Sequence, residues 1–205
     1  MSPELKKLFT KRPDLHAIGA LIEPKSRVLD LGCGDGAFLR YLTNEKKISG
    51  LGIEISQERI IDCIDNSVPV IHADLNEPLL FDDRSFDCVV LSQTLQAVER
   101  PDLLLQEMLR IGKRVIISFM NIGYWRARLQ LVLSGRMPIT KTLPHTWYNT
   151  PNIHLATIAD FRCLCKELDI TIVNENPLGN HCDLCARMMP NLFAPNCVFL
   201  LEKRQ

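Results

Sequence analysis

The feature that most constrains the fold of this chain is a glycine-rich turn directly after a strand-like run. It lies in the stretch RVLDLGCGDGAF, residues 27–38, with glycine at positions 32, 34 and 36. Glycine at alternate positions permits positive φ angles and lets another group approach the backbone closely. A helical pattern follows from Phe38. The stretch therefore predicts a strand–turn–helix unit whose turn holds a ligand.

Strand-like and helical segments alternate along the rest of the chain. The predicted strands cover residues 27–31, 48–55, 69–72, 86–92, 114–119, 170–173 and 197–202, and the predicted helices cover 13–21, 38–43, 57–64, 101–111 and 158–168. Alternation of this kind requires crossover connections, which predicts an α/β, Rossmann-like fold with a mostly parallel sheet and helices on both faces. With 205 residues and no internal repeat, we expect a single domain, 1–205.

Residues 121–156 interrupt this alternation and show no clear strand pattern. They contain both tryptophans, and within them Trp125, Leu129, Val132 and Leu133 recur at helical spacing. We expect an ordered insertion over one end of the sheet. Its helix has three interpretations: packing on its own sheet, a lid over the ligand, or a partner-binding surface. The partner-binding candidates are Trp125, Arg126, Arg128 and Arg136.

An acidic residue at the glycine turn favours one class of nucleotide ligand over another. Gly32, Gly34 and Ala37 fit the dinucleotide pattern, so a nicotinamide cofactor is one alternative. Asp30, however, lies just before the glycines, and a carboxylate there is poorly placed beside a pyrophosphate. It suits a ligand that carries an ammonium and a sulfonium. The acid-headed loop resembles that of class I S-adenosylmethionine-dependent methyltransferases.

Two further acids follow the next two strands. Glu54 ends the second strand, where a carboxylate accepts hydrogen bonds from ribose hydroxyls. The methyltransferase resemblance implies that Asp74 binds the exocyclic adenine nitrogen and that Leu75 lies against the ring. Cys33 is expected to be a small side chain at a crowded turn rather than a reactive thiol. The predicted cofactor-binding residues are Asp30, Gly32, Cys33, Gly34, Gly36, Glu54, Ile55, Asp74, Leu75 and Ser92.

The turn after the fourth strand reads LSQTLQAVERPD, residues 91–102. It has no Pro-Pro-aromatic sequence, which argues against N-methylation of DNA bases. It also lacks the Pro-Cys pair that C5 methylation of pyrimidines needs. Its polar residues supply hydrogen bonds but no group that titrates near neutrality, and they line the pocket or cap the next helix. Weak candidates for placing a methyl acceptor are Gln93, Gln96 and His154, although His154 also fits a packing role.

Longer segments resemble the MetW family of bacterial methionine-biosynthesis proteins. They include SRVLDLGCGDG, LSQTLQAVERPDLLLQEMLRIGKRVIISF and WRARLQLVLSGRMPITKTLPHTWYNTPNIHL. The resemblance implies a methyltransferase-like fold with seven strands, S-adenosylmethionine or S-adenosylhomocysteine as ligand, and an accessory role with the homoserine O-acyltransferase MetX. The alternative is an active methyltransferase acting on a small-molecule or carrier-bound acceptor.

The net charge and the spacing of the cysteines bear on binding partners, on the cellular compartment and on metal binding. The 24 basic and 24 acidic residues cancel, so we expect no nucleic-acid or membrane partner. The absence of a secretory signal or a long apolar run predicts a cytoplasmic protein with reduced cysteines. Cys163 and Cys165 lie on a predicted helix, where residues two apart point in nearly opposite directions. They cannot chelate zinc together with Cys182 and Cys185, and no metal is expected.

Overall fold

The computed structural model describes residues 8–140, 143–179 and 183–204, with the side chain of Asp183 excepted. Within these residues seven strands form one sheet in the order β3-β2-β1-β4-β5-β7-β6. Strands β1 to β5 pair in parallel, and β7 is antiparallel to both of its neighbours. The strands are β1 Arg27–Leu31, β2 Ser49–Glu54, β3 Val70–His72, β4 Phe86–Ser92, β5 Gly112–Met120, β6 Ile170–Leu178 and β7 Asn196–Lys203. The predicted α/β, Rossmann-like fold is confirmed.

Helices connect most of these strands. They are α1 Pro13–Leu21, α2 Ala37–Lys46, α3 Gln57–Asp65, α4 Pro101–Ile111, α5 Trp125–Ser134, α6 Ile158–Glu167, α7 Asp183–Met188 and α8 Pro190–Phe193, with a 3₁₀ turn at Leu95–Ala97. Local sequence fixes several of their starts. Proline opens α1 and α4, where its fixed φ suits the first turn. A capping box between Thr157 and Asp160 opens α6. None of the described helices is long and apolar enough to cross a bilayer.

Successive residues of the strands feed two hydrophobic clusters, one on each face of the sheet. In β1, Val28 enters the cluster covered by α1, α2 and α3, whereas Leu29 and Leu31 enter the cluster covered by α4 and α6. Phe119 and Phe199 stack inside the second cluster, with ring centroids 5.7 Å apart. Because both faces are covered, the sheet exposes mainly its edges and the ends of its strands.

Strand β6 is longer than predicted. Its pairing with β7 shifts between Ile172 and Asn174, and it then continues past Pro177 to Leu178. A proline and several polar residues argue against a strand when sequence is considered alone. They are tolerated because β6 lies at the edge of the sheet, where one side of the backbone needs no partner.

The cysteines of α6 lie as the helical pattern predicts, with Cys163 exposed and Cys165 buried. His181 and Cys182 lie outside the described residues. In the ranges that are described, no group of three or more histidine, cysteine, aspartate or glutamate side chains is arranged to hold a metal ion.

Candidate ligand-binding site

The glycine turn lies where the strand order of the sheet reverses. From β1 the chain proceeds outward to β2 and β3 on one side, and then returns to β4 on the other side. In open α/β sheets this switch point leaves a crevice at the carboxyl ends of the strands, and ligands bind there. The structure therefore brings residues 32–36 together with the ends of β2 and β4.

The backbone of the turn requires glycine at its first position for two reasons. Gly32 has a φ of +72°, and a Cβ atom there would lie 2.7 Å from Oγ1 of Thr94. The backbone N–H groups of Gly32 and Cys33 both donate to the carbonyl oxygen of Ile53, at 2.8 and 3.1 Å. Gly34 also has a positive φ, but the nearest atom to a Cβ there is 3.7 Å away. The turn is thus closed at Gly32 and open at Gly34.

Cys33 contributes its backbone to the turn, and its thiol is buried. Its Sγ atom lies 3.8 Å from Sγ of Cys63 and packs over Gly52, where a Cβ would collide with it. Burial raises the pKa of the Cys33 thiol well above its usual value, and the nearby Asp30 adds to this. The thiol therefore fills space beneath the turn as an unionised group.

Asp30 is a buried acid with an unused hydrogen-bond acceptor. The residue is 4% exposed, and its Oδ1 atom has no hydrogen-bond partner among the described residues. Burial raises the pKa of Asp30 to about 7; the positive charge of Arg12 lowers it, and the negative charge of Glu54 raises it. An unpaired buried acceptor is costly. A bound ammonium group would supply the missing donor, so this site fits a cationic ligand.

Glu54 supports the turn as well as facing the crevice. One carboxylate oxygen accepts from the N–H of Gly34 at 2.9 Å, and the other accepts from the N–H groups of Ile55 and Ser56 at 2.9 Å each. An ionised carboxylate has about four acceptor positions. One therefore remains for a ribose hydroxyl. The structural role of Glu54 could not be derived from the sequence, because it depends on β2 ending beside Gly34.

Asp74 and Leu75 follow β3, on the far side of the crevice from β4. One oxygen of Asp74 accepts from the backbone and the side-chain amide of Asn76, at 2.9 and 3.0 Å. Its other oxygen makes no hydrogen bond within the described ranges. Leu75 packs partly against the core cluster of α4 and α6. These positions remain compatible with the predicted adenine contact.

A buried polar network that the sequence did not predict lies at the ends of β4 and β5. Asp14 is fully buried and accepts hydrogen bonds from Arg12, Ser92 and Ser118. Burial raises the pKa of Asp14, but the hydrogen bonds and the charge of Arg12, with the two serines, outweigh it and lower the pKa overall. Ser92, one of the predicted cofactor-binding residues, contributes its hydroxyl to this network. The only sequence signal was an Arg-x-Asp pair at a helix start.

Gln96 and His154, two of the three residues predicted to place a methyl acceptor, make hydrogen bonds to the backbone of other segments. The main-chain carbonyl oxygen of Gln96 accepts hydrogen bonds from the N–H groups of Ile153 and His154, at 2.9 and 3.0 Å. Its side-chain oxygen Oε1 accepts from the N–H of Met120 at 3.2 Å. A ring nitrogen of His154 lies 3.1 Å from the carbonyl oxygen of Glu99. Gln93, directly after β4, has a φ of +57°. Gln96 and His154 therefore join the 121–156 segment to the turn that follows β4.

Helix α5, within that segment, packs little against the rest of the chain. Ala127 is its only buried residue, whereas Val132 and Leu133 are 80% and 76% exposed. The guanidinium of Arg126 lies 5.3 Å from the ring centre of Trp125. Arg128 donates to the carbonyl oxygens of Gly123 and Asn191, so its guanidinium is tied to the backbone although the residue is exposed, and Arg136 is also exposed. Packing of the apolar side of α5 on its own sheet is not observed.

Comparisons with known proteins concern the family of the chain and its fold. Residues 12–201 match the family model of the methionine biosynthesis protein MetW. A bifunctional methionine biosynthesis protein MetXA/MetW from Rhodopirellula baltica is 38% identical over 183 residues. That alignment covers 84% of this chain but 29% of the relative, so the chain spans less than a third of that protein's length.

Solved structures share the fold at low sequence identity. An S-adenosylmethionine-dependent methyltransferase from Mesorhizobium loti is 20% identical with a TM-score of 0.68, covering 93% of this chain and 96% of that one. The PH0226 protein from Pyrococcus horikoshii is 19% identical with a TM-score of 0.69, covering 99% and 92%. Similarity at this level establishes the fold alone.

Proposed function

Because the chain belongs to the MetW family of methionine biosynthesis proteins, we propose that it binds S-adenosylmethionine or S-adenosylhomocysteine and acts as an accessory subunit of a homoserine O-acyltransferase. The observation that carries the ligand assignment is Asp30, a buried acid with an unpartnered oxygen beside an open glycine turn. A dinucleotide would place phosphate there, and a carboxylate opposes phosphate.

The other predicted residues have complementary roles toward this ligand. Asp30 would pair with the ammonium group, and the backbone from Gly32 to Gly36 would lie against the amino-acid chain. Glu54 would use its remaining acceptor position for the ribose, and Asp74 would accept from the adenine amino group while Leu75 packs on the ring. When bound, S-adenosylmethionine supplies a methyl group activated by its sulfonium.

Isothermal titration calorimetry with S-adenosylhomocysteine tests the ligand assignment. We expect Asp30→Asn to weaken binding at least tenfold, because one charge-assisted hydrogen bond is lost. Glu45→Gln removes an exposed acid of α2 and serves as the matched control. Tighter binding of a nicotinamide dinucleotide than of S-adenosylhomocysteine would overturn the assignment.

Two observations support association with the acyltransferase. The R. baltica relative carries the names MetXA and MetW for one chain, so the two parts occur there in a fixed ratio. In the present chain, α5 exposes apolar side chains together with Trp125 and Arg126, and Arg136 is exposed just after the helix; residues of these types are common in the centres of protein interfaces. We assign the acyltransferase to this surface of α5.

Co-elution with the MetX-like acyltransferase of the same organism tests the partner assignment. Val132→Glu with Leu133→Glu should abolish co-elution, because two charges would be buried in an apolar contact. Leu80→Glu is the matched control, since Leu80 is 96% exposed and far from α5 in sequence. Loss of co-elution in the Leu80 variant but not in the α5 variant would contradict the assignment.

The alternative function, methyl transfer, predicts a different outcome. Incubation with methyl-labelled S-adenosylmethionine and cell extract should then label a small molecule or a carrier, and Gln93→Ala should reduce this labelling. The accessory role predicts that the protein co-elutes with the acyltransferase while no label leaves the methyl donor.

A further inference from the structure

Arg12 lies beside the glycine turn although it precedes α1 in sequence. Its Nη2 atom donates to Oγ of Ser92 at 2.6 Å, at the carboxyl end of β4. In the pairing of β1 with β4, Leu31 lies opposite Leu91, so Ser92 is level with Gly32. Neighbouring strands are about 4.8 Å apart. The charge of Arg12 also acts on Asp30, near the end of β1. The guanidinium group of Arg12 therefore lies near the end of β1 from which the glycine turn starts.

The guanidinium group of Arg12 is fixed on one side and free on the other. Nε and Nη2 donate to the two oxygens of Asp14, at 2.9 and 2.8 Å. Nη1 makes no hydrogen bond within the residues that the structure describes. The side chain of Arg12 is 32% exposed, whereas that of Asp14 is fully buried. Arginine can bind a second carboxylate through its remaining N–H groups, and its planar shape keeps them oriented.

Arg12 and Asp30 are close enough to influence each other, yet they are not paired. The charge of Arg12 lowers the pKa of Asp30 against the effect of burial, and Oδ1 of Asp30 still has no partner in the described chain. A cation with free N–H groups thus stands near an anion with a free oxygen. This pair is complementary to a zwitterion, in which an ammonium and a carboxylate share one carbon atom.

We propose that Arg12 binds the carboxylate of the ligand's amino-acid end while Asp30 binds its ammonium group, so that the site selects the complete amino acid attached to the nucleoside. Asp14, Ser92 and Ser118 act as positioning residues, because they hold Arg12 from the side away from the ligand. This inference rests on the proposed binding of S-adenosylmethionine or S-adenosylhomocysteine.

The test compares two ligands that differ in the amino-acid end. S-adenosylhomocysteine carries it, whereas 5′-methylthioadenosine has the same nucleoside and sulfur but no ammonium or carboxylate. In calorimetry we expect Arg12→Gln to weaken S-adenosylhomocysteine binding at least 30-fold and to change 5′-methylthioadenosine binding less than threefold. Lys11→Gln removes the neighbouring exposed charge, and it should leave both affinities within threefold of the original protein.

A second variant guards against misfolding, because Arg12→Gln leaves Asp14 buried without its cation. In Arg12→Gln/Asp14→Asn the pair becomes two neutral amides, and the same selective loss should appear. The relevant variant is one that has the same melting temperature as the original protein. If such a variant loses affinity for both ligands equally, or if the ratio of the two affinities does not change, the proposed role of Arg12 is wrong. If the unaltered protein binds neither ligand, the proposed function fails; if it binds both and Arg12 has no selective effect, only this inference fails.

Discussion

At the scale of single residues, the balance of charge around Asp30 determines what the site can bind. The carboxyl is buried, its pKa is raised to about 7 and one oxygen lacks a partner. In most buried positions evolution could replace such a group by a neutral one at a gain in stability. Under the proposed function, ligand binding offsets the cost of this group at the head of the glycine turn.

Ligand affinity should depend on pH through Asp30. Below pH 7 the acid is largely protonated and must lose its proton before it can pair with an ammonium group. The dissociation constant for S-adenosylhomocysteine should therefore rise as pH falls from 7 to 5, by up to about tenfold per pH unit, and should change only about twofold between pH 7 and 8. Calorimetry over this range checks the slope, and Asp30→Asn should remove it. A slope that persists in the variant would refute the explanation.

Asp30 should also limit the stability of the ligand-free protein. An acid whose pKa rises on folding destabilises the fold progressively as pH increases from its unfolded value of 3.8 to about 7. Asp30→Asn should raise the free energy of unfolding at pH 8 by about 2–4 kcal/mol, and the gain should shrink toward pH 4. Denaturant unfolding at both pH values measures this. A gain that is the same at pH 4 and pH 8 would exclude ionisation as its cause.

At the scale of elements, the glycine turn and the turn after β4 form one unit. Thr94 packs directly over Gly32, and Glu54 at the end of β2 holds the N–H of Gly34. The shape of the crevice therefore depends on three strands ending at the same level. Gly32 and Gly34 differ in how closely other atoms approach them, and alanine substitutions measure the effect of this difference on stability.

Gly32→Ala and Gly34→Ala should lower the free energy of unfolding by different amounts. Gly34→Ala adds a Cβ whose nearest neighbour is 3.7 Å away, so it should cost about 1–2 kcal/mol for its positive φ alone. Gly32→Ala carries the same strain and also meets Thr94 at 2.7 Å, so it should cost about 1–3 kcal/mol more.

The double variant Gly32→Ala/Thr94→Ala separates these two causes. Removing Oγ1 and Cγ2 of Thr94 should recover most of the additional cost and leave that of the φ angle. Chemical denaturation of the single and double variants gives the coupling energy. Additive effects would show that Thr94 does not determine the choice of glycine.

At the scale of the whole molecule, the ligand crevice and the exposed helix α5 belong to connected parts of the chain. The turn after β4 lines the crevice, and Gln96 in that turn binds the backbone of Ile153, His154 and Met120. These residues bracket the 121–156 segment that carries α5. A change at the turn can therefore reach the surface assigned to the acyltransferase through direct hydrogen bonds.

We expect ligand and partner to affect each other's binding. The dissociation constant for S-adenosylmethionine should change at least fivefold when the acyltransferase is present, and the acyltransferase affinity should change by the same factor when the ligand is present. Titrations of each component with and without the other test this reciprocity. Gln96→Leu should reduce the coupling while the variant still binds each component. Identical dissociation constants with and without the acyltransferase would remove the idea of feedback by ligand occupancy.

The sequence by itself determined the fold class and indicated the location of the candidate site. Alternating apolar runs and helical patterns are local signals, and the spacing of Asp30, Gly32, Gly34 and Gly36 fixes a turn whose shape depends on its own backbone. Strand β1 and helices α1 and α4 begin and end at the predicted residues, because prolines and buried apolar runs mark their bounds. Such signals are readable because neighbours in sequence produce them.

Only the tertiary structure decided what surrounds these residues. It showed that Arg12 and Asp14 reach Ser92 and Ser118, from positions far apart in sequence, and that Glu54 supports the turn. It also showed that β6 continues past Pro177 and that α5 stays uncovered. The physical reason is common to all of these: burial, pairing and exposure depend on which segments meet, and a side chain's charge acts on whatever lies within a few ångströms, whatever its sequence distance.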